Sequence, residues 1–154
     1  MFSRPSLLFR TFAFAEAVSW TLLIVALILR ATSDFAIGVT IAGGIHGFVF
    51  LCYGATAILV AKNNRWSWSP TALALLAAIV PYATIAAEVW LHRTGRLAGE
   101  WRMRATADPR DHSWHDRLLR VFLRHPRALG GTAAVAIFLV FSALLIVGPP
   151  GGRA

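Results

Sequence analysis

The chain is poor in the groups that keep a protein in water: 14% of its 154 residues are charged, one of them a lysine (Lys62), and seven carboxylates face fifteen Lys+Arg. Each shortage excludes something. With a single cysteine, Cys52, inside an apolar run, no internal disulfide can form. No nucleophile elbow, phosphate-binding glycine loop, metal-ligand pair or pair of aspartates is present, so no catalytic residue, metal site or cofactor is expected, and the protein reads as a non-enzyme. The net charge of +8 suggests nucleic acid at first. No zinc-finger, helix-turn-helix or aromatic RNA-binding pattern accompanies it, so no nucleic-acid partner is expected. Nine arginines (93, 96, 102, 104, 110, 117, 120, 124, 127) instead fill one stretch between two apolar runs, as in a membrane protein's cytoplasmic loop.

What is abundant is apolar surface. Hydrophobic residues make up 57% of the chain and the mean hydropathy is +0.63, a composition solvated by lipid. Four runs approach the roughly 20 residues that a bilayer-crossing helix needs. The first, about 11–29, contains only Glu16 as a charge, and its length and carboxylate favour a span over a signal peptide. The second, about 35–61, carries His46 and stops at Lys62-Asn63-Asn64-Arg65. The third, about 70–91, follows Trp66 and Trp68, read as interface anchors, with Ser69 expected to cap a helix that starts at Pro70. The fourth, about 129–148, is closed by Pro149, Pro150, Gly151 and Gly152.

The expected fold is therefore all-α: a three-span membrane core over 1–96, an arginine-rich loop with a basic interfacial helix over 97–127, and a fourth transmembrane helix with a short tail over 128–154. Four crossings put both termini on one side. Counting cations then places the termini outside and the arginine-rich loop in the cytoplasm, by ten to five. In that loop Ser113 and Asp116 fit a capping box, Trp114, Leu118, Val121 and Phe122 share one face, and Arg117, Arg120 and Arg124 lie on the other. This is the pattern of a helix on an anionic leaflet, so anionic lipid headgroups are an expected partner. His112 and His115 read as surface residues rather than metal ligands.

Ionisable residues inside apolar spans are expensive and count as functional candidates. Here they are Glu16, His46 and Glu88. Helical rise places them in that order across the membrane, in steps of roughly 7 to 9 Å, too long for direct bonds but bridgeable by water or hydroxyls. Tyr53 shares a face with His46 and a depth with Glu16; Ser19 follows Glu16 by three and Thr84 precedes Glu88 by four. A polar seam of Glu16, His46, Tyr53 and Glu88 could serve a proton or cation path, a small-ligand pocket, or simply hold helices together. Haem at His46 would lack a second in-span histidine as axial ligand. Gly43 and Gly47 form a small-xxx-small pair that permits close helix approach. Pro81 is expected to kink the third span and free the carbonyl of Ala77.

Arg10 followed by Glu16, then Gly44-Ile45-His46-Gly47-Phe48 with Phe50 and Tyr53, then Trp68-Ser69-Pro70 and Pro81, resembles an uncharacterised bacterial integral membrane family, domain of unknown function 3817, over about residues 8–95. The resemblance implies a three-helix membrane core. It marks Arg10, Glu16, His46, Gly47, Tyr53 and Pro81 as motif positions without assigning them roles. The arginine-rich loop, the fourth span and Pro81-Tyr82-Ala83, where proline-phenylalanine-glycine is usual, depart from that pattern. Arginine and alanine in abundance with one lysine fit a GC-rich bacterial genome. The expected function is that of an accessory or interaction subunit in the bacterial plasma membrane, bound to a partner membrane protein or to further copies of itself. The alternative is a small oligomeric transporter or proton-coupled carrier built on the Glu/His seam.

Overall fold

A computed structural model describes residues 3–33 and 36–148, which are mainly helical with no strand among them. Phe35, where the second run was expected to begin, and the closing Pro149-Pro150-Gly151-Gly152 lie outside the described residues. The chain forms two compact units, one ending at Glu100 and the other beginning at Trp101.

In the first unit α1 (Pro5–Ser33) and α2 (Ala36–Asn63) are the long elements, with 29 and 28 residues and hydropathies of 2.2 and 1.8. At about 1.5 Å per residue each exceeds the roughly 30 Å hydrocarbon layer. They pack antiparallel, bringing Phe9 against Tyr53 at 5.6 Å between ring centroids near one end and Ser19 against His46 further along. Their outward faces expose Val18, Ile28, Ile37 and Ile58, as helices do that are solvated by lipid.

The third apolar run is not one helix. It folds as α3 (Trp68–Ala77) and α4 (Ala83–Arg93), of 10 and 11 residues, too short to cross singly. Helix α3 starts two residues before the expected Pro70. Its N-cap is Ser67 rather than Ser69, and the Ser67 side chain makes no capping bond. Pro81 ends the helical run rather than kinking it, and Tyr82 sits in the left-handed region at φ 64°. The Ala77 carbonyl is not freed: it accepts from Val80 N at 3.4 Å, while Val80 O accepts from Ala83 N and Tyr82 O from Ile85 N, both at 3.1 Å. The break thus carries its own turns, as non-helical backbone at membrane depth must.

The break also reverses the chain. Asn64 Nδ2 donates to Arg96 O at 2.7 Å, Trp66 Nε1 donates to the same carbonyl at 2.8 Å, and Asn63 Nδ2 reaches Glu100 O at 3.1 Å. The residues after α4 therefore lie beside those before α3. Helix α4 runs antiparallel to α1: Tyr82 meets Thr21, Thr84 meets Ala13, Glu88 meets Arg10, and His92 lines a surface cavity of about 420 Å³ together with Arg4 and Ser6. The turn sits at Trp20, near the middle of α1, whose Nε1 donates to Ala78 O at 3.3 Å. The α3–α4 pair is a helical hairpin that enters and leaves at one end of the α1–α2 pair. The third run is therefore not the single long helix expected, and three helices rather than four are long and apolar enough to cross a membrane among the described residues.

In the second unit a 3₁₀ turn (Pro109–His112) leads into α5 (Trp114–Arg124), and one residue, His125, separates α5 from α6 (Pro126–Val147). Helix α6 has 22 residues, a hydropathy of 2.4 and no buried residue, and is the third helix long and apolar enough to span a membrane. The capping box expected at Ser113 does not form, because the Ser113 hydroxyl turns back to Arg110 O at 2.9 Å. Asp111 organises this unit instead. Its carboxylate accepts from Arg102 at 3.0 Å and from the Thr106 N–H and hydroxyl at 2.7 Å each. Arg120 donates to the Asp111 carbonyl at 2.5 Å.

The hairpin predicts a sidedness result. In a Cys52→Ala background, cysteines at Lys62 and Arg93 should react with a membrane-impermeant maleimide from the same side of sealed vesicles, and a cysteine at Thr32 from the other. Labelling of positions 62 and 93 from opposite sides would restore a crossing third helix.

Candidate functional site

Glu16, Ser19 and Trp20 lie at i, i+3 and i+4 of α1 and so form one stripe, which faces α2 at His46. Glu16 Oε2 is 3.7 Å from His46 Nδ1, nearer than the expected depth step of roughly 7 to 9 Å though not a direct hydrogen bond, and a hydroxyl bridges the two as expected. The antiparallel helices register the two residues at one level, which depths counted from assumed span centres cannot resolve. Ser19 joins them. Its Oγ lies 2.9 Å from His46 Nδ1, 3.1 Å from Glu16 Oε2 and 2.8 Å from Glu16 O. A serine has one proton to give. When it goes to Glu16, the bond to the ring requires an N–H at Nδ1; when it goes to the ring, Nδ1 is the acceptor. Trp20 covers the imidazole, its ring centroid 4.4 Å from that of His46.

Glu16 is fully buried, Ser19 is 2% exposed, and the Glu16 Oε1 atom is buried with no hydrogen-bond partner. A carboxyl oxygen out of water and unpaired is costly unless a proton, a water or a ligand group meets it. This atom is the open valence of the cluster.

The rest of the expected seam is not joined to it. Tyr53 is buried, but its hydroxyl donates to the backbone carbonyl of Ala74 in α3 at 2.9 Å. Glu88 lies against Arg10, 4.0 Å from its Nε, at the end of the bundle rather than in the cluster. Thr84, expected to accompany Glu88, donates instead to Ala13 O at 3.1 Å. Of the motif positions, Gly47 is half-buried beside His46 and Pro81 is exposed in the break. A Cβ added at Gly43 would meet nothing within 4 Å, so no helix among the described residues closes on that position.

Three functional side chains were not anticipated. Trp20 links the cluster to the hairpin turn, and its spacing from Glu16 is the signal that could have found it. Asn63 and Asn64, two amides ending an apolar helix, tie down the far strand of the hairpin. Trp66, expected at the interface, contributes to the same tie, whereas Trp68 is 80% exposed, as an anchor should be. Of the arginines expected to bind a membrane surface, Arg117 is exposed, Arg124 is exposed with its Nε on Met103 O, and Arg120 is turned inward onto Asp111. No group of three or more histidine, cysteine or carboxylate side chains is placed to hold a metal among the described residues.

A family profile described as "Domain of unknown function (DUF3817)" matches residues 6–93. The chain belongs to this family. The DUF3817 stretch contains the Glu16, Ser19, Trp20 and His46 cluster and both arms of the hairpin, and stops short of the arginine-rich segment and α6. The chain is also similar to a protein of Streptomyces coelicolor described as "Putative membrane protein SCO5905", 39% identical over 103 residues, or 66% of this chain. Those residues are 12% of that protein's length, so the chain spans about an eighth of the relative it matches. No solved structure matches.

The cluster makes a stability prediction. Ser19→Ala removes the hydroxyl shared by a buried carboxyl and an imidazole, and should destabilise the protein by about 1–3 kcal/mol. Unfolding in mixed micelles measures this; a variant as stable as the parent would show that Ser19 does not bridge Glu16 to His46.

Proposed function

We propose that this DUF3817 membrane protein is a non-enzymatic accessory subunit that docks on a larger membrane protein of the bacterial plasma membrane. One observation carries the reading. A stretch of similar sequence exists in Streptomyces coelicolor as a small part of a much longer membrane protein. A unit that occurs within a longer membrane polypeptide is suited to pack against further membrane segments. The geometry supports the same reading. Ser19, Trp20, His46 and Tyr53 engage each other or backbone carbonyls within the bundle, as residues that hold a scaffold do. Helix α6, apolar and with no buried residue, supplies a face for a partner helix, with Gly130 and Ala134 as a small-xxx-small pair on it.

With the hairpin re-entrant, the three long apolar helices among the described residues are the crossings. Arg4, Arg10, Lys62, Arg65 and the nine arginines from Arg93 to Arg127 then share one side, thirteen of the fifteen Lys+Arg. Arg30 and Arg153 are left for the other. The positive-inside rule makes the crowded side cytoplasmic, with the N-terminus inside.

A second reading, an oligomeric proton-coupled carrier, is favoured by the unpaired Glu16 Oε1. Two experiments separate the readings. In the native membrane, gentle extraction should recover a stoichiometric membrane partner, and removal of residues 128–154 should release it. Self-association alone, with a proton leak in reconstituted vesicles that His46→Ala abolishes, would replace the accessory reading by the carrier.

A further inference from the structure

Helix α5 presents an unusual surface. Its outward stripe is Trp114, Leu118 and Val121 at i, i+4 and i+7, exposed by 76%, 47% and 55%. Its inward side is not purely apolar: Leu119 and Leu123 are buried there together with Asp116 and Arg120. The acids are thereby withdrawn from the surface. Asp116 is 3% exposed with Arg102 3.5 Å away, and Asp111 is held by Arg102 and Arg120. Asp108 is bound bidentately by Arg110. The charge that α5 shows beside its apolar stripe is positive, from Arg117 and Arg124. This inverts the usual economy of a water-facing helix, in which acids lie outside and tryptophan inside.

We propose that α5 lies in the headgroup layer of an anionic leaflet, with Trp114, Leu118 and Val121 entering the acyl boundary and Arg117 and Arg124 on lipid phosphates. Two features select lipid as the occupant. The first is charge complementarity, sharpened by the burial of Asp116, the one carboxylate in α5, and of Asp111 before it. The second is the tether. A single residue, His125, joins α5 to a 22-residue apolar helix with Pro126 at its first turn, so the end of α5 starts at the bilayer boundary. A tryptophan at that depth sits where indole rings collect. Arg120, expected in the headgroup set, is not part of it, because it is committed to Asp111.

The test uses the full chain with Cys52→Ala, reconstituted in equimolar phosphatidylglycerol and phosphatidylcholine and, separately, in phosphatidylcholine alone. A spin label is placed at Leu118 or at His112 as the aqueous reference. In the anionic bilayer the label at 118 should collide with oxygen and be shielded from a water-soluble nickel chelate, with the reverse at 112. Arg117→Gln, alone and with Arg124→Gln, should lower the lipid-embedded fraction about fivefold per arginine in the anionic bilayer. In phosphatidylcholine alone the substitutions should change little. Nickel access at 118 equal to that at 112 overturns the proposal. So does shielding from both oxygen and nickel, which would mean protein contact, and so does equal embedding in the two bilayers, which would remove the phosphate recognition.

Discussion

The first unit depends on one constraint: backbone polar groups inside a bilayer must find partners within the protein. The third apolar run breaks at Pro81, and two aromatic side chains reach its carbonyls, Trp20 at Ala78 and Tyr53 at Ala74. Both donors come from the long helices, one from α1 and one from α2. The break is therefore held from both sides, and this hold lets the run turn back at the middle of α1 instead of continuing. Asn63, Asn64 and Trp66 fix the open end of the hairpin in the same way, side chain onto carbonyl. Little of the association within this unit needs to come from the hydrophobic effect, which lipid does not supply between helices.

The polar cluster belongs to the same mechanism. Ser19 bonds His46 while Trp20, the next residue, both covers the imidazole and holds Ala78. Displacing His46 would thus disturb the residue that secures the hairpin turn. This is how a histidine and a glutamate, costly in lipid, are accommodated between α1 and α2. The unpaired Glu16 Oε1 marks where the cluster could accept more than it holds.

Much of this was legible in the sequence. The helical class, both long helices of the first unit and α6 follow from apolar length, while the DUF3817 family came from the resemblance of the Arg10, Glu16 and His46 pattern. The Ser19 and Glu16 contact follows from i, i+3 geometry. The hairpin does not. A 22-residue apolar run with a central proline reads equally as a kinked span or as two half-length helices, and hydropathy registers length, not direction. The decisive groups are amides and indoles outside the run, and their targets are carbonyls 30 or more residues away. The inward turn of Arg120 and Asp116 was hidden for a related reason. Helical periodicity separates apolar from polar faces, but here the buried side is held by ion pairs with a preceding loop.

The central claim is that the third run turns back. Spin labels at Ser67 and Arg93, one before α3 and one at the end of α4, measure it by dipolar spectroscopy in a bilayer. The account predicts a separation well below the roughly 30 Å of the hydrocarbon layer. A distance at or above that thickness would mean that the run crosses the membrane, and would contradict the account.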